Sequence, residues 1–314
     1  MDLYINPPGR DCAAARRDSL HLHLLALAVG VALAGAGKPA MAHDSWFERL
    51  SPAGASGPLL LALGTGNLYP ERETGVGPEY LRQQGCRGAA TAASAGGSAA
   101  ASAVPGGSAG APSDPSDNAA LVPVRNAKAA LLLRAPAGVR GCWTQLTPFD
   151  IELPADKVAP YLDEMNASVA LRSTWASMQA RGLRWQERYT KHARIELSPG
   201  GAEAPAPMGM DALLLRRDGQ LVFTVLRDGQ PVPGLAVELR SAAPATGSWH
   251  RTDERGQIQL PEPAAGRWLL RAIDLRPSDT RPDQWESRFL TLAFDGSLPA
   301  AGRAAQQPFP GLQR

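Results

Sequence analysis

The chain has 314 residues, 44% hydrophobic and 20% charged, with 32 Gly and 28 Pro, enough for one large core or two ordinary ones. Its 32 basic and 30 acidic residues leave a formal charge of +2. That balance gives no footprint for nucleic acid, which needs a clustered basic excess. Beyond residue 42 no run of about 18 apolar residues occurs, so no membrane insertion is expected of the chain once its leader is gone.

Residues 1–42 read as a cleavable signal peptide. Arg16 and Arg17 form a basic flank, Leu24 to Leu33 is an apolar run of h-region length, and Ala40-Met41-Ala42 has the A-x-A form of a cleavage site. Export to the periplasm follows. Cleavage after Ala42 would make His43 the first residue. A free α-amine and the imidazole Nδ1 of one residue close a six-membered chelate ring on a metal ion, and an α-amine pKa of about 7.7–8.0 lets a metal displace its proton near neutrality. Nitrogen donors of this kind suit Ni, Co, Cu or Zn rather than Ca or Mg, and Asp44 could add an oxygen. The other reading is that His43 only begins a strand.

Residues 43–154 read as an N-terminal β-sandwich region. Pro58 to Gly64 is a short apolar strand followed by a Gly64-Thr65-Gly66-Asn67 turn cluster. Residues 86–120 are almost wholly Gly, Ala, Ser and Pro, the composition of a disordered insertion. Cys86 and Cys142 flank most of that stretch. In an oxidising compartment these two cysteines most economically form one disulfide. Short β-like runs follow at 129–133, 141–146 and 149–153.

Residues 155–200 read as a small helical insert. Asp156 is the expected N-cap, with Val158, Tyr161, Leu162 and Met165 at helical spacing and Pro160 near the helix start. Val169, Leu171, Trp175 and Met178 continue the pattern, and Trp185, Tyr189 and His192 follow at intervals of four and three. After a linker at 201–211, residues 212–296 alternate between short apolar runs and turns such as Arg227-Asp228-Gly229-Gln230 and Thr252-Asp253-Glu254-Arg255-Gly256. Turn signals near every ten residues predict an immunoglobulin-like sandwich. Residues 297–314 read as a disordered tail. The fold class is therefore mainly β, two β-sandwich domains with a helical insert between them.

There is no G-x-S-x-G elbow, P-loop, H-E-x-x-H or C-x-x-C. Past residue 42 only His43, His192 and His250 could serve a triad, and no serine stands in a strained elbow. Enzymatic activity is not expected. His250, beside Trp249 at a strand end, joins the candidate ligands because sandwich loop ends often carry binding residues.

The opening Ala42-His43-Asp44-Ser45-Trp46-Phe47-Glu48 resembles the A-H-D-F-W-L-E start of a bacterial exported family, a domain of unknown function associated with the periplasmic, substrate-specific part of nickel or cobalt uptake. Phe149 to Val158 with Tyr161-Leu162 is similar to its F-x-I-E-L-P-A-x-K-F…Y-L block, and Glu187 to Ala193 to its E-R-Y-x-K-Y-A segment. Thr252-Asp253, Gly256, Gly266 to Ala272 and Trp285-Glu286-Ser287 are similar to its last sandwich. The resemblance implies two β-sandwich regions, export and the handling of a divalent transition metal, with a membrane metal transporter as partner. Family members carry a His shortly after the Arg-Ala of the last sandwich, where this chain has Ile273-Asp274. A carboxylate there binds such ions less selectively than imidazole.

Two functions are thus expected in order. The first is a metal-binding accessory protein using His43, Asp44, His250 and Asp274 to hold Ni or Co, with Cu or Zn as alternatives. The second is a non-catalytic β-sandwich module for an envelope protein or glycan, which gains if Trp46, Trp249 and Trp268 are exposed on one face.

Overall fold

Short apolar runs punctuated by Gly, Pro and Asp cannot sustain a 3.6-residue period for long, and strands dominate the computed structural model. It describes residues 43–52, 57–88, 118–198, 204–243 and 247–297. The predicted signal peptide, the centre of the Gly/Ala/Ser stretch and the C-terminal tail from 298 lie outside the described residues. No helix among the described residues is long and apolar enough to cross a membrane.

In chain order the strands are β1 (Asp44–Arg49), β2 (Leu59–Gly66), β3 (Thr74–Gly75), β4 (Leu81–Arg87), β5 (Asn118–Ala119), β6 (Val122–Ala127), β7 (Ala130–Ala135), β8 (Gly141–Leu146) and β9 (Phe149–Leu153). Helices α1 (Ala155–Glu164) and α2 (Val169–Ala180) follow, then β10 (Trp185–Glu196), β11 (Met210–Arg217), β12 (Gln220–Arg227), β13 (Gln230–Pro231) and β14 (Ala236–Ser241). The set ends with β15 (Ser248–Arg251), β16 (Gln257–Pro261), β17 (Arg267–Pro277) and β18 (Trp285–Asp295).

Among the described residues these strands form three sheets. The central one runs β15-β14-β17-β18-β10-β8-β4-β5, with β9 also on β10. Its pairings are antiparallel except one: β10 and β18 run parallel from Glu187 beside Trp285 to Ile195 beside Ala293. A smaller sheet, β1-β2-β7-β6 with β3 on β2, and a second, β11-β12-β13 with β16 on β12, complete the set.

Strand alternation assigns the small sheets to opposite faces of the central one. On β17 and β18, Leu269 and Ala293 join a core with Trp46, Leu61, Leu131 and Leu133 of the first small sheet. Their neighbours Leu270 and Leu292 join a core with Met210, Leu214, Leu221 and Phe223 of the second. Each such side chain contributes about 1.5–3 kcal/mol on burial. The first face also carries α1 and α2, whose Val158, Tyr161 and Trp175 pack with Trp185, Trp285 and Phe289. The regions separated in sequence at 201–211 therefore share one sheet, and the chain from Ala42 onward is one unit by its contacts.

Several local expectations change. Residues 185–196 form β10 rather than a helix. A four-residue spacing is also two strand repeats, so Trp185 and Tyr189 share a face in either conformation, and Glu187 and Lys191 on that same face interrupt the apolar alternation that would have marked a strand. Helix α1 is preceded by Pro154 at its N-cap, with Asp156 in the first turn and Pro160 inside the helix. The Gly64-Thr65-Gly66 cluster is the end of β2, not a turn. A Cβ at Gly64 would stand 2.6 Å from the Ala129 carbonyl oxygen, and one at Gly66 would run into the Glu71 carbonyl. The ends of the 86–120 stretch are ordered, since β5 pairs with β4 through Cys86 and Arg87. The end of the expected linker is packed: Ala206 and Met208 bury against Trp143, and the Ala206 amide donates to Asp211 at 2.7 Å.

Candidate functional site

His43 immediately precedes β1, which pairs antiparallel with β2 from Asp44 beside Gly66 onward. Its imidazole is 41% exposed, and Nε2 lies 3.6 Å from a carboxylate oxygen of Glu73 in the loop between β2 and β3. The Asn67 side-chain amide donates to that same carboxylate at 3.0 Å. Beneath this pair opens a pocket of about 250 Å³, lined by Ser45, Thr65, Thr74, Tyr80, Leu146, Phe149, Tyr189 and Lys191. The Ser45 and Thr65 hydroxyls are hydrogen-bonded to each other at 2.8 Å.

The pocket wall is aromatic because Phe149 on β9 pairs directly with Tyr189 on β10. Their rings stack with centroids 5.4 Å apart, and Tyr80 packs on Phe149 at the same separation. Two residues further along β10, on the same face as Tyr189, Lys191 sets its Nζ 5.7 Å from the Tyr189 ring centre. Burial pulls the Lys191 ammonium down to about 8, with the Asp44 carboxylate working against that fall.

Asp44 is committed elsewhere. It is buried, and its Oδ2 accepts from Arg271 Nε at 2.8 Å. Arg271, 1% exposed, also meets Glu238 at 3.1 Å and Glu164 at 3.5 Å. Asp274 lies on the opposite face of the central sheet, held by Arg227 of β12 at 2.5 Å and by Arg276 at 2.9 Å. His250 is on the edge strand β15, with Nε2 3.0 Å from the Ser248 hydroxyl. Its partner Val237 pairs in turn with Ala272, so two strand spacings and two residues separate the backbones of His250 and Asp274, roughly 12 Å.

The four residues singled out in the sequence therefore do not converge. Among the described residues no group of three or more His, Cys, Asp or Glu is placed to hold a metal ion. Cys86 and Cys142 form a disulfide between the paired strands β4 and β8. The three tryptophans do not share an exposed face: Trp46 is buried in the first core, Trp268 is half-buried, and Trp249 is exposed on β15.

Buried titratable groups also lie outside the pocket, Glu187 and His192 among them. Burial pushes the Glu187 carboxyl up, although it accepts from Tyr161 at 2.8 Å and Trp185 at 2.9 Å and from Ser287. His192 faces the other side of β10 and is drawn down to about 4 by burial, with its Nδ1 3.1 Å from the Phe289 carbonyl.

Comparison with family models, curated proteins and solved structures gives no match. Glu73, Tyr80, Phe149, Tyr189 and Lys191 were not legible as a site, because they converge from distant segments. The usable signal was local: Tyr189 and Lys191 at i and i+2 share a face once β10 is taken as a strand. Chemically, the rim offers an imidazole beside a carboxylate, and the interior offers ring faces and an ammonium.

Proposed function

We propose that the chain is an exported periplasmic protein without catalytic activity. It captures a nickel- or cobalt-type divalent ion at the residue uncovered by leader removal and passes it to a membrane transporter. The observation that carries this reading is the place of His43: its half-exposed imidazole stands at a pocket rim with Glu73 3.6 Å from Nε2. Processing after Ala42 would set an α-amine beside Nδ1, giving two nitrogen donors in one chelate ring. Glu73 is then an outer-shell group. A small rotamer adjustment lets it accept the Nε2 proton, which fixes the tautomer and leaves the Nδ1 lone pair for the ion.

Asp44 and Asp274 drop out of the proposed ligand set, since withdrawing either from its arginines would strand a buried charge. His250 belongs to another strand edge. The remaining coordination positions fall to water or to the delivering and receiving molecules.

The same reading takes 212–296 as an immunoglobulin-like sandwich and 43–154 as a second one, with α1 and α2 inserted between them. Its support is that each small sheet shares its own apolar core with the central sheet. The alternative, a module for an envelope protein or glycan, lacks the clustered tryptophans that would favour it.

The test is calorimetric titration of Ni(II) and Co(II) into the chain beginning at His43 and into the same chain with one Ala added in front. The added residue is expected to weaken binding roughly tenfold or more, because it removes the amine from the chelate ring. Equal affinity in both forms overturns the reading. So does mass spectrometry showing that the exported protein starts at another residue.

A further inference from the structure

We infer that the pocket beneath His43 binds a small organic carboxylate, its anion on Lys191 and its carbon frame against Phe149, Tyr189 and Tyr80. The inference does not depend on metal capture, since neither an ammonium nor a tyrosine or phenylalanine ring face is a ligand for Ni(II) or Co(II).

Lys191 carries the argument. Long basic side chains normally keep the charge in water or meet a carboxylate. This one is largely shielded on the first face of the central sheet, and among the described residues no carboxylate forms an ion pair with it. Its recorded polar neighbour is the Tyr189 ring at 5.7 Å. The nearest acid acting on it, Asp44, is taken up by Arg271 at 2.8 Å. A half-buried cation without an ion-pair partner is a costly arrangement, and the space in front of this one is open rather than filled.

The same space defines the ligand's body. Three rings line it in series, Tyr80 on Phe149 on Tyr189, with the exposed Tyr80 at the entrance. At about 250 Å³ the pocket is smaller than the roughly 300–1,000 Å³ of drug-sized sites, and its few polar groups fix orientation while apolar area holds the frame. One ammonium matches one carboxylate. A phosphate or sulfate would want several converging donors, and of the adjacent hydroxyls of Ser45 and Thr65 one spends its proton on the other, which leaves a single O–H to give. The arginine-lined cavity of about 350 Å³ over the paired strands β10 and β18 is less suited to an anion, because Arg188 and Arg281 share Asp150 and Arg288 pairs with Asp228.

The experiment uses the chain from His43 onward in EDTA, so that no metal contributes. Phenylacetate, benzoate and hexanoate are titrated by calorimetry and by ligand-observed NMR, with 2-phenylethanol and inorganic phosphate as controls. Saturable binding of at least one carboxylate is expected, with 2-phenylethanol about tenfold weaker or worse. Lys191→Met should weaken the carboxylate about tenfold while leaving the fold intact by circular dichroism, since it removes a shielded charge. Phe149→Leu should weaken it severalfold. The inference is overturned if none of the three carboxylates saturates, if alcohol and acid bind alike, if phosphate binds best, or if Lys191→Met binds as the parent does. Loss of Ni(II) binding with carboxylate binding kept would reject only the metal reading.

Discussion

The two small sheets pack on one central sheet and differ in what they bury. The second, β11-β12-β13 with β16, meets its face mainly through aliphatic and phenyl side chains, and its hairpins turn on Asp218-Gly219 and Asp228-Gly229, all four residues at positive φ. The first covers a face that also holds the Arg271 charge cluster, the disulfide and the open pocket. The contrast separates two tasks. One side is an apolar sandwich whose buried charges close as ion pairs, Arg194 with Asp211 and Arg227 with Asp274. The other gathers three carboxylates on the one buried guanidinium of Arg271, a group whose position matters more than its net stabilisation.

That contrast can be broken most strongly at Arg271. Replacing it by Met takes the guanidinium from the buried Asp44 and leaves Glu238 with Arg240 alone, and should destabilise the protein by about 3–5 kcal/mol in urea titrations. An effect below about 1 kcal/mol would mean that the shared guanidinium is no more demanding than the simple ion pairs of the other face. Next comes the Cys86–Cys142 bridge, which spans a sequence separation of 56. Chain-entropy reasoning gives about 4 kcal/mol for a loop of that length, an upper value, so melts with and without reductant should differ by several degrees.

The two faces of β10 supply a pH test. His192 has a folded pKa of about 4 against 6.5 for the free group. The unfolded chain therefore takes the proton first, and stability falls as pH drops from 6.5 towards 4, by about 3 kcal/mol in all. Lys191, at about 8 against 10.5, gives a second window in which stability rises with pH from 8 to 10.5. His192→Phe should flatten the lower window and Lys191→Met the upper one, read from denaturation midpoints against pH. The smallest expected effect is at the β12–β13 turn. Gly229→Ala at φ 76° should cost about 1 kcal/mol and leave ligand binding unchanged.

Legibility in the sequence follows the same division. Strands β12, β14, β16, β17 and β18 could be placed closely, because Asp-Gly turns and apolar runs are local signals. The mainly β class followed from the same reasoning. Strand β10 was misread because its four-residue spacing fits a helix and the charged Glu187 and Lys191 interrupt its apolar face. No local feature announces a parallel partner about 100 residues away. The cysteine pair was legible through simple counting, and the A-x-A pattern at residues 40–42 drew attention to His43, which stands at the pocket rim. Glu73 and Lys191 were not legible, since their roles arise when β1, the β2–β3 loop and β10 come together. Asp44 and Asp274 looked like free ligands only because their arginines, Arg271 and Arg227, are distant in sequence.

The parallel alignment of β10 with β18 has a consequence for how the polypeptide matures. Until the stretch beginning at Trp285 has emerged, β10 and β17 each lack the neighbour that joins them, so the central sheet cannot be assembled progressively from its amino end. A nascent chain would thus stay incomplete almost until synthesis finishes. Shortening it by the last strand would leave two half-sheets with raw edges rather than a slightly smaller protein.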